Sequence, residues 1–288
     1  MGHPITAGAS ASIGATPGGS SPCLPSRLPV SSANARHPGR LDTLSLHGHT
    51  ALLYVPAAAD ARPEIRLPVV YFLHGAPGTA RMWIDGGHMP ALLDRLISAG
   101  QLPPLIAVFP DEQGRAFGDS WWGNTALGDG VENWLMTDLV PTIDDRFCTL
   151  GPHYRGIAGF SAGGFGAVNL AIHELGLFGW AAGYSGVYTA PREIFGAASN
   201  ANSPQLTASW VPADQRFPLY LGGGAQDRMY LAETVRFIGT VGTLGWAPLQ
   251  TEVVGGDHSW QAWSVEVEDS LRWLGRLWKD AGTGPIEV

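Results

Sequence analysis

Tyr154-Arg155-Gly156-Ile157-Ala158-Gly159-Phe160-Ser161-Ala162-Gly163-Gly164-Phe165-Gly166-Ala167-Val168-Asn169-Leu170-Ala171-Ile172 is the stretch that decides the fold. A strand-like apolar run leads into Gly159–Gly163, and a small-residue helix leads out of it. This pattern fits a strand-to-helix turn tight enough to push one serine hydroxyl out of a sheet. Side chains two residues either side of the serine would clash in so sharp a turn, which gives Gly159 and Gly163 a physical job. Ser161 is thereby read as a nucleophile and the chain as α/β. With 39 glycines in the sequence, the pentapeptide can arise by chance. The reading therefore depends on what the rest of the chain sets in order around it.

Moving outward, Ala51–Val55 reads as a first strand, residues 67–73 as a buried one and residues 105–109 as another. Helices are predicted around residues 90–99 and 132–147, the second broken or kinked by Pro141. After the Ser161 helix come a strand over Trp180–Tyr184 and an irregular excursion over 187–215. Then follow a strand over 217–221, a helix over 229–240, a strand over Leu249–Val254 and an amphipathic helix over 271–278. Such alternation predicts a mostly parallel central sheet with helices on both faces. Residues 1–40, rich in Gly, Ser, Ala and Pro, are read as a flexible arm, and 41–288 as one catalytic domain.

Composition narrows the function classes. The net charge is −8, with Lys279 the single lysine against sixteen arginines, so no basic patch for nucleic acid or anionic membrane is expected. No run of 18 apolar residues occurs, so no membrane span is predicted. The amino terminus carries neither a charged n-region nor a continuous apolar h-region, so it does not read as an ordinary secretory signal. Cys23 and Cys148 are the only thiols, and a disulfide between them is not expected.

A serine hydroxyl needs a general base, and the base needs an orienting carboxylate. In the α/β-hydrolase order both follow the serine, acid first. Only His173 and His258 follow Ser161. His173 lies about three turns along the helix after the serine, so it points elsewhere. His258, in the glycine-bearing loop Gly255-Gly256-Asp257-His258, is the candidate base. Asp227 lies just past a strand, where open α/β sheets place their sites, and is preferred as the acid over Asp257, Asp214 and Glu233. Two backbone N–H groups are needed for the developing oxyanion. Ala162, following the nucleophile, and Ala76, in Leu73-His74-Gly75-Ala76-Pro77-Gly78, are the expected donors, since Pro77 has no N–H.

Leu73-His74-Gly75, the Gly159–Gly163 elbow, the glycine-rich segment ending at Asp227 and Gly256-Asp257-His258-Ser259-Trp260 together resemble the esterase D-like family of α/β-hydrolases. That family includes feruloyl and acetylxylan esterases, S-formylglutathione hydrolases and mycolyltransferases. The resemblance spans roughly residues 45–280. It implies an α/β-hydrolase fold, a serine carboxylesterase activity through an acyl-enzyme, no cofactor and a small-molecule, carbohydrate or lipid ester as substrate. It also slightly favours a secreted or envelope-associated protein. The His-Ser-Trp segment and Asp119-Ser120-Trp121-Trp122 look most like the mycolyltransferase branch, which makes acyl transfer to a sugar or lipid alcohol the alternative. Mycolyltransferases carry an acidic residue and an arginine where this chain has His74 and Pro77, so hydrolysis is the implied reaction. A non-catalytic carbohydrate-binding scaffold is a further reading, and the complete Ser161–Asp227–His258 set argues against it.

Other features are weighed against simpler readings. Trp83, Trp121 and Trp122, with His74, are expected to line the substrate pocket. Trp134, Trp180, Trp273 and Trp278 are read as core, and Trp260 and Trp263 as braces for the His258 loop. Asp111 is read as either a pocket carboxylate or an ordinary loop acid. Gly222–Gly224 lacks a following Gly-Lys-Ser/Thr and is read as a tight turn rather than a phosphate loop. His47 and His49 could share a strand face, but nearby ligands are too few for a metal site.

Overall fold

The structure, a computed structural model, describes residues 23, 38–112 and 119–282. Apart from Cys23 and residues 38–40, the arm read over 1–40 lies outside them. Two half-buried strands, β1 (Arg40–Leu46) and β2 (His49–Val55), pair antiparallel through a His47-Gly48 turn whose residues both have positive φ. The sequence reading missed β1. The strand face that His47 and His49 could have shared does not form: His47 occupies the turn and His49 opens the next strand.

A short helix, α1 (Ala57–Ala61), precedes β3 (Val69–Leu73), and α2 (Met89–Ser98) precedes β4 (Ile106–Pro110). The helix predicted over 132–147 is divided: α3 (Val131–Trp134), a π-helical turn over Leu135–Leu139, then α4 (Val140–Arg146). Pro141 follows directly on the π-helical turn in backbone that stays helical, so the irregularity expected at Pro141 takes the form of a widened turn rather than a break. Next come β5 (Arg155–Phe160), α5 (Ala162–His173) and β6 (Trp180–Tyr184). The 187–215 excursion holds short helical turns, among them α6 (Arg192–Phe195) and α7 (Pro204–Thr207). The chain then forms β7 (Leu219–Gly224), α8 (Leu231–Thr243), β8 (Leu249–Val254) and α9 (Trp260–Gly282).

The eight strands make one sheet in the order β1-β2-β4-β3-β5-β6-β7-β8. Only the β1–β2 and β2–β4 pairings are antiparallel; from β4 to β8 the strands run parallel. Strands β3 to β6 are buried along their whole length, as apolar runs covered on both faces must be. One face packs on α5 and α8 through Val168, Leu170, Phe237 and Val241. The other packs on α2 and α9 through Leu93, Leu96, Leu271 and Leu274. This is the α/β-hydrolase architecture that the sequence pointed to.

Three differences from the sequence reading have physical causes. Cys23 and Cys148 are disulfide-bonded, with Cα atoms 5.8 Å apart, across a sequence separation of 125 that gave no local signal of the pairing. Gly222–Gly224 is the buried end of β7 and not a turn; the turn comes one residue later. The last helix begins at Trp260, eleven residues before the predicted start, because the apolar stripe continues through Ala262, Trp263 and Val267.

Candidate active site

β5 lies at the centre of the sheet, so the turn after it points at the middle of the carboxyl edge. Ser161 occupies that turn with φ 56° and ψ −122°, a strained conformation for a side-chain-bearing residue. Several contacts hold it there. The Ser161 N–H donates to the Tyr184 carbonyl at 2.9 Å, and Phe165 N–H donates back to the Ser161 carbonyl at 3.1 Å. A Cβ on Gly159 would collide with the Gly163 carbonyl, and one on Gly163 with the Leu73 carbonyl. Both glycines are thus fixed by close backbone approach.

Two loops at the next strand ends bring the partners in. Asp227 follows β7 and His258 follows β8, and backbone bonds zip the two loops together. Ala225 N–H donates to Val254 O at 2.7 Å and Gln226 N–H to Gly256 O at 2.8 Å, while the Gln226 side chain accepts from Gly256 N–H at 2.6 Å. Gly256 has φ 124°, which glycine alone adopts at little cost. Asp227 is buried, and its Oδ1 accepts from the N–H groups of Met229 and Tyr230 at 2.9 and 3.0 Å. Its other oxygen accepts from His258 Nδ1 at 2.7 Å. With the proton on Nδ1, the free Nε2 accepts from the Ser161 hydroxyl at 2.9 Å. Serine, histidine and aspartate therefore form one continuous relay.

The imidazole is also packed on its flanks. The Tyr230 and Trp263 rings stand edge-on to it at 4.8 and 5.1 Å. Trp263 stacks in turn on Phe160, next to the nucleophile, at 4.4 Å. The two glycines Gly86 and Gly87 give room to the Trp260 ring.

The Leu73–Gly78 loop reaches the serine from the β3 side: a Cβ on Gly75 would stand 3.1 Å from Ser161 Cβ. Ala76 thus directly follows a residue in contact with Ser161, and Ala162 opens α5. The N-terminal end of that helix adds positive potential beside the serine.

Of the four residues expected to line the substrate pocket, three are buried. Trp83 is fully buried against Phe72, Phe160 and Trp260. Trp122 is fully buried as well, its indole N–H donating to the His74 carbonyl at 3.0 Å. His74 is 1% exposed, and burial lowers its basicity, leaving the imidazole neutral inside the protein. Trp121 alone keeps an open face, with its edge on Phe165 of α5. Asp111 accepts from Ala80 N–H and so braces the segment after the Leu73–Gly78 loop.

Among the alternatives, Asp257 bonds the neighbouring Ser259 hydroxyl and Glu233 pairs with Arg236 at 2.8 Å. His173 bonds Glu132 at 2.8 Å and the Ala201 carbonyl at 2.9 Å, tying the 187–215 excursion to α5. Sequence reasoning missed Glu112, whose Oε2 accepts from Ser120, from the Ser120 N–H at 3.1 Å and from the Trp122 N–H at 3.0 Å. It also missed Gln226 and Glu266. Only Glu266 left a trace in the sequence, as an acid on the apolar stripe of α9. Among the described residues, no group of three or more His, Cys, Asp or Glu side chains is placed to hold a metal ion. No helix among them is long and apolar enough to cross a membrane.

Comparison with known proteins gives the family and the fold. Residues 47–274 match the family described as Putative esterase. Esterase Rv1288 of Mycobacterium tuberculosis is 35% identical over 132 residues, covering 44% of this chain and 27% of that protein. The match thus spans about a quarter of that relative's length. Among solved structures, a ferulic acid esterase superposes with a TM-score of 0.73 at 23% identity, covering 83% of this chain and 98% of its own. FphF, a fluorophosphonate-binding serine hydrolase of Staphylococcus aureus, superposes with a TM-score of 0.71 at 18% identity, covering 83% and 99%. At these identities the structural likeness establishes the fold.

Proposed function

The chain belongs to the Putative esterase family, and from that premise we propose that it is a serine carboxylesterase working through an acyl-enzyme on Ser161. The observation that carries this reading is the relay from Asp227 through His258 to the Ser161 hydroxyl, at 2.7 and 2.9 Å. His258 Nε2 takes the hydroxyl proton as Ser161 Oγ attacks the ester carbonyl carbon. Asp227 holds the proton on Nδ1 and stabilises the imidazolium. The N–H groups of Ala162 and Ala76 receive the oxyanion. The imidazolium then gives its proton to the leaving alcohol oxygen, and the alcohol departs. Water repeats the sequence on the acyl-enzyme, its proton passing through His258 back to Ser161, and the acid is released.

Initial rates on p-nitrophenyl esters of increasing acyl length test the reading. Wild type is expected to turn them over and Ser161→Ala to lose nearly all of that activity, roughly 10³-fold or more. Retained turnover in Ser161→Ala would remove the nucleophile from the account. With a sugar or lipid alcohol supplied as acceptor, the free acid is expected to remain the main product. An ester of the acceptor as main product would instead identify an acyltransferase.

A further inference from the structure

Glu266 is fully buried on the inner stripe of α9, among Ala262, Trp263, Val267, Ser270 and Leu271. A carboxyl there needs a reason, because burial of its charged form is costly. The bonds around it supply one. The Ser185 hydroxyl donates to Glu266 Oε1 at 3.5 Å, and one helical turn along, Ser270 Oγ lies 2.6 Å from the Tyr184 hydroxyl. Two consecutive residues at the end of β6 are thus tied to positions four apart on α9. The same two residues reach the proposed site. The Tyr184 carbonyl accepts the Ser161 N–H, and the Ser185 N–H donates to the Gly222 carbonyl at 2.8 Å, on the strand leading to Asp227. In the same stretch of α9, Trp263 stands edge-on to His258. Glu266 therefore sits at the joint between the elements that carry all three members of the relay.

The space around the carboxyl is tight and without counter-charge. A Cβ on Gly222 would stand 2.9 Å from Glu266 Oε2, so the carboxyl lies directly on the β7 backbone. Oε2 has no hydrogen-bond partner among the described residues. The groups acting on Glu266 from the surrounding elements are neutral or acidic. Ser185 bonds it from just past β6, and the charges of Asp227, in the loop after β7, and Glu252, on β8, act on it through space. It acts in turn on Tyr184 of β6, Tyr220 of β7 and Tyr188 of the excursion.

We propose that Glu266 is a positioning residue for the Ser161–His258–Asp227 relay: its carboxyl must keep its proton, and its ionisation drives Asp227 away from His258 and ends activity on the alkaline side. The proposal rests on the serine-esterase reading above. Burial first, and then the Asp227 carboxylate, push the Glu266 carboxyl up to about 8. The group is accordingly neutral at pH 7, and its neutral form fits a site that offers no cation. Loss of the proton to solvent puts a second negative charge into a medium of low polarity, where it repels the Asp227 carboxylate that already acts on it. The same shift stabilises the fold below the ordinary carboxyl range and loses that contribution as pH rises towards 8.

The test is the pH dependence of kcat/KM for wild type and Glu266→Gln, which keeps the shape and cannot ionise. Wild-type activity is expected to fall as pH rises past about 8, while the alkaline limb of Glu266→Gln lies higher. One pH unit above the wild-type limb, the variant should keep about tenfold more of its own neutral-pH kcat/KM than wild type keeps. An active, folded Glu266→Gln with the wild-type limb overturns the role given to Glu266 and leaves the esterase reading standing. Wild type that hydrolyses no ester at any pH overturns the esterase reading, and the role with it. Should the variant not fold, infrared titration of wild type decides. A protonated-carboxyl band that persists in Glu112→Gln, whose own buried carboxyl is also pushed up, is expected at neutral pH, disappearing near 8 together with activity. Absence of any such band at neutral pH contradicts the proposal.

Discussion

His258 Nε2 lies 2.9 Å from the Ser161 hydroxyl, although 97 residues separate them in the chain. The contact exists because β5 and β8 end at the same edge of one parallel sheet, and because the Asp227 loop holds the His258 loop by its backbone. Asp227→Asn tests the second cause. An amide presents an N–H to Nδ1 as readily as an oxygen, so it no longer fixes the proton there. The expected result is a fall in kcat of about 10⁴ with KM little changed, measured by steady-state kinetics on a short-chain p-nitrophenyl ester. A loss below about tenfold would mean that Asp227 is not the orienting acid.

The elbow glycines give a prediction about folding rather than chemistry. A Cβ at position 163 collides with the Leu73 carbonyl, which belongs to a central strand and cannot swing aside as a side chain would. Gly163→Ala should therefore be destabilised by roughly 1–3 kcal/mol or more, as overpacked core positions are. Chemical denaturation midpoints read this directly. A variant as stable as wild type would show that the approach of β3 to α5 is loose.

Two tryptophans that look alike in the sequence should behave differently. Trp83 is fully buried among Phe72, Phe160 and Trp260, and Trp83→Ala should cost about 3–5 kcal/mol. Trp121 keeps an open face beside Phe165, so Trp121→Ala should leave the melting temperature within a few degrees and change the preference among acyl lengths. Equal loss of stability in both variants would place Trp121 in the core and remove it from the pocket.

These residues also show where the sequence was legible. The elbow, Asp227 and His258 could be found because each sits just past a strand with strong period or composition, in the order the chemistry needs. Strands Trp180–Tyr184 and Leu249–Val254 were bounded correctly by their flanking turns. Trp83 and Trp122 were misplaced because a loop-like sequence says nothing about which way a ring turns. Trp83 lies in a π-helical turn over Met82–Gly86, and Trp122 has φ 64°. Neither conformation leaves a periodic signal. β1 was missed because none of its residues is fully buried and it draws its stability from pairing with β2.

The Cys23–Cys148 bond was set aside in the sequence because Cys23 stands in a segment without periodicity. It closes a separation of 125 residues. A loop of that size is worth about 5 kcal/mol, chiefly by restricting the unfolded chain. Cys148→Ser, or wild type under reductant, should melt several degrees lower with esterase activity at room temperature retained. An unchanged melting temperature under reductant, with both thiols shown to be free, would mean that the bond contributes nothing to the folded domain.

The central claim is that Ser161 is activated by its relay with His258 and Asp227, and covalent labelling measures that activation without presuming a substrate. Wild-type protein treated with a fluorophosphonate and digested for peptide mass mapping is expected to carry one phosphonyl group, on Ser161. Under the same conditions His258→Ala is expected to label far more slowly and Ser161→Ala not at all. Folded wild type that stays unlabelled, or that carries the adduct on another residue, would contradict the account.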